Sequence, residues 1–178
     1  MIASFERDLK ESCEEAADFL RNKLVKWKKK KSLEGEPIYS GEREFVCEIY
    51  RLLIERNVSY RDTLFVDYFP DPKDRVARRL PDMVFDDRSN NKSVVEFKVV
   101  VDKRKKGPDR LWKKDKDGIK SDFEKMKMYK DSFKSKVIVV AYTGDPQDTN
   151  EKGLPVKDFQ NEISKSFHKT NKVSVIVC

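Results

Sequence analysis

Two short stretches hold the residues most able to do chemistry: Pro81-Asp82-Met83-Val84-Phe85 and Val94-Val95-Glu96-Phe97-Lys98-Val99-Val100-Val101. The second is apolar almost throughout, yet it contains Glu96 and Lys98. Side chains alternate along a strand, so these two share one face while Val95, Phe97 and Val99 share the other. A carboxylate and an ammonium inside a central strand are costly to desolvate unless something uses or pairs them. A structural ion pair is one explanation, since buried pairs exist without a function. Asp82 supplies a second. The Asn- and Asp-rich turn Asp86–Lys92 makes a hairpin of the two stretches, and hairpin pairing can bring Asp82 beside Glu96. Carboxylates that close repel, unless a divalent cation sits between them. Oxygen ligands of this kind suit Mg²⁺ or Mn²⁺. Lys98 on the same face could orient an attacking water or stabilise negative charge that develops on a phosphate.

The elements that must position these groups follow from periodicity. Residues 2–31 read as a helix, with Ile2, Phe5, Leu9, Cys13, Ala16, Leu20, Leu24 and Trp27 on one face, ended by Gly35 and Pro37. A second helix starts near Ser40, buries Phe45, Val46, Ile49, Leu52 and Leu53, and fades at Asn57. Strands are expected at Thr63–Phe69, Pro81–Phe85, Ser93–Val101, Lys136–Tyr142 and Val173–Cys178. Helices are expected at Ile119–Phe133 and Phe159–Phe167. Charged loops fill Pro70–Arg79 and Asp102–Gly118. This order predicts an α/β fold with a mixed central sheet flanked by helices.

Taken together, Pro81-Asp82, a short loop and Glu96-Phe97-Lys98 resemble the PD-(D/E)xK signature of the restriction-endonuclease-like nucleases. The predicted order resembles that family's αβββαβ core over residues 40–142. The chain then reads as a single nuclease-like domain, 1–178, with an N-terminal helical extension (1–36) and a C-terminal helix–strand addition (143–178). The resemblance implies metal-assisted phosphodiester hydrolysis, with Asp82, Glu96 and the backbone carbonyl of Phe97 as ligands of Mg²⁺ or Mn²⁺. It implies Lys98 as the residue that positions water, and products with a 5′-phosphate and a 3′-hydroxyl. Many members also place a glutamate near the start of the first core helix. Glu42 fits that position, although helix starts favour acids for dipole reasons anyway; Glu48 is the reserve and Glu44 a solvated charge. Exonuclease-like members carry Gln or Lys one turn before a Tyr on the helix after the motif. Lys125, four residues before Tyr129, fits that spacing and is equally readable as a surface lysine. Tyr129 itself reads as core.

Composition bounds the alternatives. The chain has 178 residues, which is one domain's worth, and no apolar run approaches a membrane span. Acidic residues crowd its start, as in neither a secretory signal nor a transit peptide, so a cytoplasmic location is expected. Cys13, Cys47 and Cys178 have no zinc spacing and read as buried thiols. Charged residues make up 40%, with a net charge of +7, which permits a nucleic-acid partner. Phosphate contact is expected from Lys26–Lys31, from Arg75, Arg78 and Arg79, and from Lys103, Arg104, Arg110, Trp112 and Lys113, with Trp112 able to stack on a base. His168 reads as a surface residue. DNA is the favoured substrate, and the N-terminal helix could supply a homodimer interface. The alternatives are a catalytically inactive nucleic-acid-binding module of the same fold, or a viral RNA endonuclease.

Overall fold

The computed structural model describes residues 2–30, 42–68, 80–89, 91–100, 119–129, 133–142 and 173–178. Helices α1 (Ile2–Lys30) and α2 (Glu42–Arg56) come first, then a short 3₁₀ helix (Val58–Asp62). Strands β1 (Leu64–Val66), β2 (Met83–Asp86) and β3 (Lys92–Val100) follow. A helix over residues 119–128, here α3, precedes β4 (Phe133–Tyr142) and β5 (Ser174–Val177). The five strands form one sheet in chain order. The pairs β1–β2 and β2–β3 are antiparallel, and β3–β4 and β4–β5 are parallel. The fold is therefore α/β with a mixed sheet, as the element order predicts.

The two faces of the sheet hold separate cores. On one, Phe5, Leu9, Cys13, Ala16 and Leu20 of α1 and the five apolar residues of α2 pack on Met83, Phe85, Val95, Phe97, Val137 and Val139. Phe5 stacks on Phe85 at 4.5 Å, and Tyr60 meets the same ring edge-on at 5.9 Å. On the other face, Ile119, Phe123, Met126 and Tyr129 cover Val84, Val94, Ile138 and Val140. Alternation along β3 thus turns Val95 and Phe97 toward the first two helices and leaves Glu96 and Lys98 on the α3 side.

The β2–β3 turn is built from side-chain caps. Asp86 Oδ1 accepts from the Arg88 N–H at 2.8 Å, and Asp87 Oδ1 accepts from the N–H groups of Ser89 and Asn91. Arg88 takes a left-handed conformation, φ 61°, which the caps stabilise. The turn fixes a register in which Met83 pairs with Val95 and Phe85 with Ser93. At the far end of α3, the buried Lys136 of β4 donates to the carbonyl of Tyr129 at 2.5 Å.

Four expectations need correction. The helix expected at Ile119–Phe133 is described only to residue 128, and Phe133 opens β4. Met126, Tyr129 and Phe133 keep helical spacing across this break because all three face the same core, so periodicity cannot reveal it. The strand expected at Thr63–Phe69 shrinks to Leu64–Val66, closed by Asp67 at φ 51°. The 3₁₀ helix was not expected; Asn57 caps it by accepting from the Ser59 N–H at 3.0 Å. Cys47 is exposed, whereas Cys13 and Cys178 are buried, because Cys47 lies on the polar side of α2. The Phe159–Phe167 helix, His168 and all eight phosphate-contact residues from Arg75 to Lys113 lie outside the described residues; so do the side chains of Lys26–Lys30, within α1, and residue Lys31. No described helix is long and apolar enough to cross a membrane.

Phe85, 1% exposed and gripped by two rings, anchors the larger core. Phe85→Ala is expected to lower the unfolding free energy by about 3–5 kcal/mol in denaturant titration, whereas Val58→Ala, at an exposed position, changes it by less than about 0.5 kcal/mol.

Candidate active site

Three acids share one row across the sheet. Continuing the Val66–Met83 and Met83–Val95 pairings by one residue sets Asp67 opposite Asp82 and Asp82 opposite Glu96. The Asp67 N–H donates to the Asp82 carbonyl at 3.3 Å, so the first register persists past the strand end. Asp82 is fixed on its other side, where Oδ2 accepts from the backbone N–H of Phe97 at 2.7 Å. That bond ties the start of β2 to the strand that carries Glu96 and Lys98.

Glu96 is 3% exposed and is bonded from α3. The Tyr129 hydroxyl donates to Oε1 at 2.8 Å, and Lys125 Nζ sits 2.7 Å from the same carboxylate. Lys125 also donates to the carbonyl of Leu80 at 2.7 Å, which links α3 to the segment leading into Asp82. Burial and then the Asp82 charge push Glu96 up to about 7, against the opposing bonds from Lys125 and Tyr129. Burial raises Asp82 as well, opposed by the Phe97 N–H and by Lys125 and Lys98. Burial, Glu96 and Asp82 together push the Tyr129 hydroxyl well above the ordinary tyrosine range, so it is a fixed proton donor.

The sequence expectations for Asp82, Glu96, Lys98 and Lys125 converge on this one place. Lys125 is a partner of Glu96 and not a solvated lysine. Tyr129 is core, as read, but its hydroxyl also belongs to the site. Glu42, half-buried at the start of α2, is close enough for its charge to act on Asp122. Glu48 instead pairs with Arg51 at 2.6 Å, and Glu44 is exposed. Asp122 is one of two acids that sequence reading misses. Burial and the charges of Asp82 and Glu42 push it up to about 6, against the pull of Lys98 and Lys125. Its signal lay in spacing: it stands three residues before Lys125 and seven before Tyr129, on the same side of α3. Asp67 escapes the sequence reading because it falls inside the expected strand Thr63–Phe69, whereas β1 stops at Val66.

Among the described residues, no three His, Cys, Asp or Glu side chains converge tightly enough to hold a metal by themselves. Two carboxylates, Asp82 and Glu96, do sit side by side. That donor set fits Mg²⁺, which keeps several waters and takes only one or two protein carboxylates beside substrate phosphates. Around it, Asp82, Glu96 and Asp122 outnumber Lys98 and Lys125, a balance that a divalent cation would redress. No family model matches the chain, and neither a curated protein nor a solved structure matches it.

The raised Glu96 predicts a pH dependence of stability. The folded state holds this proton to a higher pH than the unfolded chain, so its stabilising effect is complete below about 4.5 and lost as pH rises through about 7. Without divalent cations, thermal unfolding is expected to show stability falling between pH 5 and pH 8 by roughly 2–3 kcal/mol. Glu96→Gln is expected to reduce that slope and to leave the share that Asp122, pushed up to about 6, contributes below pH 7.

Proposed function

We propose that the chain is a metal-dependent nuclease of the PD-(D/E)xK type, hydrolysing phosphodiester bonds with DNA as the favoured substrate. The observation that carries this reading is the place of Asp82, one residue before β2 and bonded to the Phe97 N–H, beside Glu96 of β3, with Lys98 two residues further along the same face. The order α2, β1, β2, β3, α3, β4 supports it, since that is the αβββαβ order of a restriction-endonuclease-like core. The sequence signature alone is short, and the reading gains weight from its placement in paired strands between helices.

In this reading Asp82 and Glu96 hold Mg²⁺ or Mn²⁺, with the Phe97 carbonyl as a further ligand. When bound, the cation neutralises the scissile phosphate and makes water more acidic. The chain's own residues do the rest. The Phe97 N–H orients the Asp82 carboxylate. Lys125 and Tyr129 hold Glu96 in one rotamer, so that the two carboxylates are preorganised rather than assembled at each turnover. Lys98 directs the attacking water and offsets negative charge that grows on the phosphate. The excess of Lys and Arg, 39 against 32 acidic residues, favours a polyanionic substrate.

The test is cleavage of labelled single-stranded, duplex and branched DNA, with RNA alongside, in Mg²⁺ or Mn²⁺. Wild type is expected to cut, and Asp82→Ala and Lys98→Ala each to lose about 10²-fold or more. Calorimetry should show Mg²⁺ binding that weakens in Asp82→Ala. Absence of both cleavage and metal binding in the wild type refutes the reading.

A further inference from the structure

Asp122 and Lys125 stand one turn apart on α3, and Tyr129, one turn further, follows directly after its last residue. The last two both end on Glu96. Strands β3 and β4 are parallel, so the connection between them must return along the sheet in the opposite sense. Moving back one turn of α3, from Lys125 to Asp122, therefore moves forward along β3, from Glu96 toward Lys98. The helix rises about 4.5 Å over three residues and the strand about 7 Å over two, a difference of about 2.5 Å that a long lysine side chain can span. The electrostatics agree. Lys98 is the strongest charge acting on Asp122, ahead of Asp82, Lys125 and Glu42, yet the weakest of the named charges acting on Asp82.

We propose that Asp122 is a positioning residue that holds the Lys98 ammonium on the helix side of the site. The proposal rests on the nuclease reading, in which Lys98 directs the attacking water. A lysine is a point charge on a flexible four-carbon stem, and nothing in its own geometry aims it. Without a counter-charge on α3, Lys98 would be drawn down onto Asp82 and Glu96 and would compete there for the oxygens that a cation needs. The site then has a division of labour among its charges. Lys125 fixes Glu96, Asp122 fixes Lys98, and Asp82 is oriented by a backbone N–H.

Three measurements test this on the full chain. In single-turnover and steady-state cleavage, Asp122→Asn is expected to lower kcat about tenfold with KM within about twofold, while Asp122→Glu recovers much of the loss. Calorimetric Mg²⁺ affinity should stay within about twofold of wild type. In thermal unfolding near pH 7, which needs no activity, Asp122→Asn is expected to raise Tm by about 2–4 °C more in a Lys98→Met background than in the wild type, because there no Lys98 charge offsets the cost of the buried carboxylate. Full kcat in Asp122→Asn, or equal Tm changes in both backgrounds, overturns the assignment and leaves the nuclease reading intact. Weakened Mg²⁺ binding overturns it too, by making Asp122 a ligand of the cation. A wild type that neither cuts nor binds metal refutes the nuclease reading itself, and with it the role for Asp122, whatever the unfolding data show.

Discussion

Glu96 is a carboxylate placed in the middle of a sheet with almost no access to water, and the polar architecture of the molecule is organised around that placement. Desolvation alone would drive the group neutral, and the adjacent Asp82 pushes in the same direction. The hydroxyl of Tyr129 and the ammonium of Lys125 work against both. The outcome is a group held near the middle of its titration range at physiological pH, neither safely neutral nor safely charged. A side chain kept for packing would have been replaced by an apolar residue of similar volume at little cost. In the nuclease reading proposed above, a bound cation relieves that tension.

That placement depends on strand register. Side chains in a sheet repeat every two residues, so a slip of one residue between β2 and β3 would turn the apolar row of one strand to the wrong face. Two unrelated devices prevent it. At the turn, Asp86 and Asp87 cap the chain; at the other end, Asp82 closes on the Phe97 N–H fifteen residues away in sequence. Between them the two faces are specified separately, Phe85 and Phe97 against α1 and α2, Val84 and Val94 against α3.

Much of this was legible in the sequence where a single element carries the signal. Alternation in Val94–Val99 named the face of Glu96 and Lys98, and helical spacing named all five buried residues of α2. What stayed hidden depends on two elements meeting. Asp122 looks like one more acid in a charged helix, since the charges that act on it, Lys98, Asp82 and Glu42 among them, come from other elements. Tyr129 reads as core by spacing, and its hydroxyl acquires a partner only when α3 docks. The end of α3 was missed for a related reason: Tyr129 and Phe133 serve one core, and burial preserves the periodicity after the helix has stopped. Cys47, by contrast, could have been placed correctly, because it is two residues from Phe45 and so far round the helix from the buried stripe.

Lys136 gives the arrangement a mechanical character. A buried ammonium from the central sheet grips the carbonyl of Tyr129 while the hydroxyl of the same tyrosine grips Glu96. One residue is thus pinned at both its main chain and its side chain to two different strands. Sliding α3 by a turn, about 5.4 Å, would break both attachments at once in a region where water cannot replace them. The helix therefore has a single detent on the sheet, like a bolt located by two dowels, and the spacing of its charged side chains is inherited from the strands beneath.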